Sequence, residues 1–210
     1  GYFAGLPFIP KGTFSHYTRD NWATLVLVVG FVSMLMVGGY LKYRWKVKVD
    51  VPVVVDKSMS KHDGLRIVAL SDLHLGYGIG KRELTRWVDM INAEDPDIVL
   101  IAGDIIDNSS RPLREENMAE CFRKINAPLG VYTCLGNHEY ISGLKESLEF
   151  IESAGIRLLR DSHALIDSSI YIIGRDDRSH PDRKSIAELI SPLDKSLPLI
   201  LLDNQPYHLE

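Results

Sequence analysis

Three short stretches hold the residues whose types and spacing could do chemistry: Asp72-Leu73-His74, Gly103-Asp104-Ile105-Ile106-Asp107 and Gly136-Asn137-His138-Glu139. Carboxylates, imidazoles and an amide oxygen are the donors that hard and borderline divalent cations take. Each stretch alone reads as an ordinary loop, because Gly, Asp and Asn are favoured in turns. Each, however, follows an apolar run that reads as a buried β-strand: Ile67 to Leu70, Ile98 to Ala102 and Val131 to Leu135. Three strand ends then deliver ligands to one edge of a sheet, which is how a fold builds a metal site.

The three motifs resemble those of the calcineurin-like metallophosphoesterases, whose pattern runs D-x-H, G-D-x-x-D, G-N-H-[DE], a later His, and G-H-x-H. The resemblance extends from about Arg66 to the end of the chain. It implies an α/β fold, a two-sheet β-sandwich flanked by helices and incomplete here, which in this chain follows the apolar segment described below. It also implies two divalent metal ions, Mn²⁺ foremost with Fe or Zn²⁺ as alternatives. Asp104 is then the ligand that bridges both ions, Asp72 and His74 hold the first, and Asn137 binds the second through its amide oxygen. His138 is the general acid for the departing alkoxide, a role that suits a group titrating near neutrality. Asp107 orients that imidazole, although a turn or capping Asp would look the same; Glu139 reads as structural. The expected reaction is hydrolysis of a phosphodiester or phosphomonoester by a hydroxide activated by the two ions.

The chain departs from the pattern in two places. Where the family has a metal-ligating His in a context like D-H-x-P, this sequence has Asp203-Asn204-Gln205-Pro206, with His208 nearby. An amide oxygen is a weaker ligand than imidazole for Mn²⁺, Fe or Zn²⁺, so whether Asn204 serves the second ion is open. The final G-H-x-H does not occur before the chain stops at Leu209-Glu210; with a start at Gly1, this reads as a fragment truncated at both ends, weak or inactive by itself. Gly174-Arg175-Asp176-Asp177-Arg178 could clamp a substrate phosphate through its arginines, or form a solvated, self-neutralising loop.

The elements that must position these groups can be read around them. Lys81 to Ala93 places Leu84, Val88 and Ile91 on one helical face, and Asp95-Pro96 ends it. Pro112 to Ile125 reads as a helix with Ser110 as candidate N-cap, and Ser142 to Ala154 as another stopped by Gly155. Beyond it, short strands are expected over 157–159, 164–166, 170–173 and 197–202, with one helix over 183–190.

Upstream, Trp22 to Leu41 contains no charged residue, enough to cross a bilayer as a helix. Trp22 stands at one end and Tyr40, Tyr43 and Trp45 at the other, as interfacial aromatics do. A buried core helix or a signal peptide fits the length and flanks less well. Lys42, Arg44, Lys46 and Lys48 follow the segment and only Lys11 and Arg19 precede it, so the following domain is expected on the cytoplasmic side. Val47 to Val55 alternates charged residues with Val, and Pro52 suits an edge strand.

These readings divide the chain into an extramembrane loop over 1–21, a transmembrane helix over 22–41, a basic flank and edge strand over 42–64, and the phosphoesterase domain over 65–210. The net charge of -4 and pI near 6.0 give no nucleic-acid footprint. Cys121 and Cys134 stand far apart in no metal or redox spacing, so no disulfide framework is expected. The partners expected are a phosphoester substrate, lipid-linked in the reading that the anchor favours, and the membrane itself. The alternative is a non-catalytic membrane-anchored binding or scaffold module with a degraded metal site, for which Asn204 is the sequence support.

Overall fold

The computed structural model describes residues 22–55 and 64–207. The loop expected over 1–21, residues 56–63 of the flank expected over 42–64, and His208 lie outside the described residues. The chain forms two compact units that divide between Val53 and Val54.

The first unit contains helix α1 (Trp22–Arg44), whose segment Thr24–Arg44 is long and apolar enough to cross a membrane. Its 21 residues extend about 31 Å at 1.5 Å each, the thickness of a hydrocarbon core. Large apolar side chains are exposed all round it, with Leu27 at 72% and Met36 at 71%, where a core helix would bury them. The edge strand expected near Val47 is not formed: residues 45–55 carry no strand, and Val47, Val49, Val51 and Val53 are all exposed. Alternation alone cannot make a strand without a neighbouring ladder, and Pro52 removes one donor from any that could form.

The second unit is built from two sheets. Strands β1 (Ile67–Leu70), β2 (Ile98–Ile101), β3 (Val131–Thr133) and β4 (Arg157–Leu158) form a parallel sheet in that order. Strands β5 (Ser162–Ile166), β6 (Ile170–Gly174) and β7 (Leu199–Leu202) form the second sheet, β5 antiparallel and β7 parallel to β6. Strand β2 is buried on both faces, so it reads as a continuous apolar run. Its Ile98 and Leu100 pack with Tyr132 and Cys134 against Ile170, Ile172 and Leu202 of the second sheet. Val99 and Ile101 face the other way, toward Leu84, Val88, Ile91, Phe122 and Ile151 of the helices. The period of two along one strand thus builds both a sheet–sheet core and a helix–sheet core.

Helix α2 (Lys81–Ala93) has the expected bounds, with Leu84, Val88 and Ile91 buried. The helix expected over 112–125 is broken into α3 (Arg111–Glu115) and α4 (Ala119–Phe122). Asn117 adopts φ 52°, a left-handed turn that delivers Met118 to the core with no exposure. Ser110 precedes α3 without a capping bond; its Oγ accepts from Arg114 instead. The third motif winds into its own short helix α5 (Asn137–Ile141), and α6 (Leu144–Ser153) follows a turn at Gly143. Gly155 stops α6 with φ 72°, its N–H and that of Ile156 returning to the carbonyls of Glu152 and Ile151. Helix α7 (Ile186–Ile190) starts at a Ser185–Glu188 capping box, three residues later than expected.

Candidate metal centre

Because β1, β2 and β3 run parallel, the loops that follow them emerge at one edge of the sheet. The first two loops are zipped together beyond the strands. His74 N–H donates to the Asp104 carbonyl at 3.0 Å, Leu75 N–H to Ile105 at 2.8 Å, and Asp107 N–H back to Leu75 at 2.9 Å. Asp72, His74 and Asp104 sit at φ 55°, 45° and 51°. The left-handed region is tolerated by Asp and His more than by most residues, and such backbone gathers at functional sites.

The third loop is locked to the second by Glu139, which has no exposure. Its carboxylate accepts four backbone N–H groups: those of Asp104 (3.0 Å) and Gly136 (2.8 Å) on Oε2, and those of Ile105 (2.8 Å) and Ile106 (3.1 Å) on Oε1. Burial pushes this carboxyl above the ordinary range, and the backbone donors pull it back down. The glycines are required by the closeness of the loops. A Cβ at Gly136 would stand 2.2 Å from Asp104 Oδ1, and one at Gly103 would stand 2.7 Å from the Gly136 nitrogen.

The interlocking brings the predicted residues together. One ligand atom each from His74, Asp104 and His138 lie within 4.8 Å of one another. Asp104 is buried; its Oδ1 accepts from the His138 N–H at 2.9 Å, and its Oδ2 lies 3.9 Å from His74 Nε2. Asp72 Oδ1 stands 3.8 Å from the same Nε2. The two imidazoles meet edge to face, centroids 4.3 Å apart. Asp107 serves both: its Oδ1 is 3.7 Å from His74 Nδ1 and 3.4 Å from His138 Nδ1. His138 Nδ1 is also 2.9 Å from the Asp107 carbonyl, an acceptor only, which makes Nδ1 a protonated nitrogen. Asn137 precedes His138 on α5, its Oδ1 accepting from Gln205 Nε2 at 2.6 Å. This set of imidazole, carboxylate and amide donors fits divalent ions of the Mn²⁺, Fe and Zn²⁺ kind.

Sequence reasoning did not single out Gln205 or Asn108, whose Nδ2 donates to Asp107 Oδ2 at 2.8 Å. Both adjoin residues that it did name, which was the available signal. In the GRDDR loop Arg175, Asp176 and Asp177 are buried, and Arg178 is exposed. Arg175 is held by Asp203 at 3.2 Å, the Lys184 carbonyl at 2.9 Å and the Tyr207 carbonyl at 3.1 Å, an arrangement of internal ties rather than a phosphate clamp. Asp176 accepts from Tyr140 OH and Arg160 Nε, each at 2.7 Å, and so ties α5 to the second sheet.

The profile of the calcineurin-like phosphoesterases matches residues 65–194. A transmembrane protein with metallophosphoesterase domain from Danio rerio is 33% identical over 196 residues, covering 87% of this chain and 44% of that protein. An uncharacterised metallophosphoesterase of Aquifex aeolicus is 29% identical, with 84% of this chain and 69% of that protein covered. One of Campylobacter jejuni is 30% identical, with 90% and 52% covered. The chain thus spans less than half of the Danio rerio relative and about half of the Campylobacter jejuni one. With the profile matched over most of the second unit and the motifs brought to one sheet edge, the chain belongs to the calcineurin-like phosphoesterase family.

Proposed function

We propose that this protein hydrolyses phosphoesters, diester or monoester, at a membrane to which α1 anchors it. The observation that carries this reading is the convergence of His74, Asp104 and His138 on one point at the ends of parallel strands, with Asp107 against both imidazoles. Asp72, His74, Asp104 and Asn137 would hold two divalent ions, Mn²⁺ foremost. Bound there, the ions supply charge relief on the phosphoryl oxygens and a nucleophile at neutral pH.

The chain's own residues do the rest. The carboxylate of Asp104, with one oxygen engaged by the His138 N–H, keeps its other oxygen toward His74. The Asp107 carbonyl accepts from His138 Nδ1–H, so that in the doubly protonated imidazolium Nε2–H would be the group that gives its proton to the leaving alkoxide, leaving the ring neutral with its proton on Nδ1. Glu139 keeps the second and third loops in register, so that these groups stay within reach of one substrate. The domain boundaries follow the motifs: 1–21 outside the membrane, 22–41 spanning it, 42–64 a basic flank, and 65–210 the phosphoesterase domain. Lys42 and Arg44 in the last turn of α1, with Lys46 and Lys48 after it, support a cytoplasmic side for that domain. Anchorage gives it access to lipid-linked phosphates.

The test is Mn²⁺-dependent hydrolysis of an aryl phosphodiester and an aryl phosphomonoester by the full-length protein, with Asp104→Asn as control. Turnover that disappears in the control supports the enzyme. Turnover no greater than the control, with folded protein and metal supplied, points instead to a binding module. Equal turnover of soluble and bilayer-presented substrates would remove the lipid-linked reading alone.

A further inference from the structure

At Asp203-Asn204-Gln205-Pro206 the two neighbouring amides do different things. Asn204 is wedged against the glycine backbones of the second and third loops. Cβ atoms built at Gly103 and Gly136 would meet its Cβ at 3.0 Å and its Cγ at 2.8 Å. Its Nδ2 donates to the Ala102 carbonyl at 2.9 Å, which fastens the end of β7 to the end of β2. Asn204 therefore acts as a tie between the two sheets at the strand ends.

Gln205, in contrast, reaches Asn137. Its Nε2 stands 2.6 Å from Asn137 Oδ1, the atom assigned above to the second ion. A carboxamide at that distance from a ligand oxygen is also within reach of an ion bound to that oxygen. Rotation of the terminal amide exchanges Nε2 for Oε1 without moving the rest of the side chain, and that torsion is soft.

We propose that Gln205 supplies the second metal position with an amide-oxygen ligand in place of the family's imidazole, and that Asn204 is the tie that holds it there. This rests on the reading of the site as one for two divalent ions. It has a chemical consequence. With Asn137 and Gln205 as amide donors beside the Asp104 carboxylate, the second position is an all-oxygen one that favours Mn²⁺ or Mg²⁺ over Zn²⁺. The first position keeps the His74 nitrogen.

The experiment is titration of metal-free, full-length protein in detergent with Mn²⁺ alone, followed by calorimetry and by the magnetic coupling of paired Mn²⁺ ions. Wild type is expected to take two equivalents, with a coupled signal. Gln205→Leu is expected to keep the first and bind the second at least about tenfold more weakly, since loss of an outer partner alone costs that much. Gln205→Glu separates a ligand from a mere donor. A ligand replaced by carboxylate binds the second ion more tightly; a donor replaced by carboxylate sets oxygen against Asn137 oxygen and weakens it. Retention of both ions by Gln205→Leu within twofold, or weakening by Gln205→Glu, overturns the proposal. First-position occupancy reports in every variant that the loops are folded. Failure of the two-ion reading looks different: wild type then takes one equivalent of Mn²⁺ or none.

Discussion

Glu139 accepts the backbone N–H of Asp104 at 3.0 Å, and through three more N–H groups it holds the second and third of the three loops that carry the site. The residue that fixes the position of Asp104 is thus a buried carboxylate 35 positions away, on the first turn of α5. An amide offers one acceptor oxygen where the carboxylate offers two, and it brings an NH₂ against the donors. Glu139→Gln is therefore expected to strand two buried N–H groups and to cost about 2–4 kcal/mol. Thermal denaturation should show this as a fall of roughly 5–15 °C; an unchanged midpoint would remove Glu139 from its structural role.

Gly136→Ala tests the closeness of the second and third loops. The added Cβ would meet Asp104 Oδ1 and the Asn204 Cγ well inside contact distance. The loops must part, at a cost of about 1–3 kcal/mol for overpacking. Mn²⁺ affinity is expected to fall with stability, because the atom displaced is the Asp104 carboxylate. Isothermal titration beside a denaturant melt measures both.

Asp107→Asn leaves the shape but removes the charge that faces both imidazoles. The expected result is a loss of about 10–100-fold in kcat with saturating Mn²⁺, the range found for partners that orient ligands and acids. A kcat within twofold of wild type would mean that Asp107 is only a turn residue.

Cys134 gives a stability prediction with a definite sign. It is fully buried between the sheets, and burial pushes its thiol well above the ordinary range, with Asp203 and Glu139 adding to the effect. The folded thiol therefore stays protonated, while the unfolded one ionises near pH 8.5. Stability from this group is fully present below that pH and is lost as pH rises, by up to about 1.4 kcal/mol per unit. Cys134→Ala is less stable at pH 7 by the cavity it opens, and the gap from wild type should narrow between pH 8 and pH 10 in urea melts. Native-state alkylation of both cysteines at pH 8 should be negligible, since Cys121 is buried as well.

The basic flank tests orientation. Replacing Lys42 and Arg44 in the last turn of α1, and Lys46 and Lys48 after it, by Gln removes the charge bias at that end. Mixed topology is expected, seen as partial glycosylation of a reporter site placed in the phosphoesterase domain, where wild type shows none.

The sequence by itself determined the donor types, their order at three strand ends, the bounds of α2 and the apolar run of α1. These depend on local patterns: periodicity, turn residues, and a run without charge. The tertiary structure decided what residues far apart do to one another. Nothing near Glu139 in sequence shows that it will take the N–H groups of Asp104 to Ile106, and nothing in the GRDDR stretch shows that Arg175 will be buried against Asp203. Asn117 breaks a helix that its neighbours favour, because the core gains Met118 in return. Gln205 meets Asn137 across 68 positions only because β7 and β3, in different sheets, end at the same edge. A side chain's type is written in the sequence; its partner is set by which strand ends the packing of two sheets brings together.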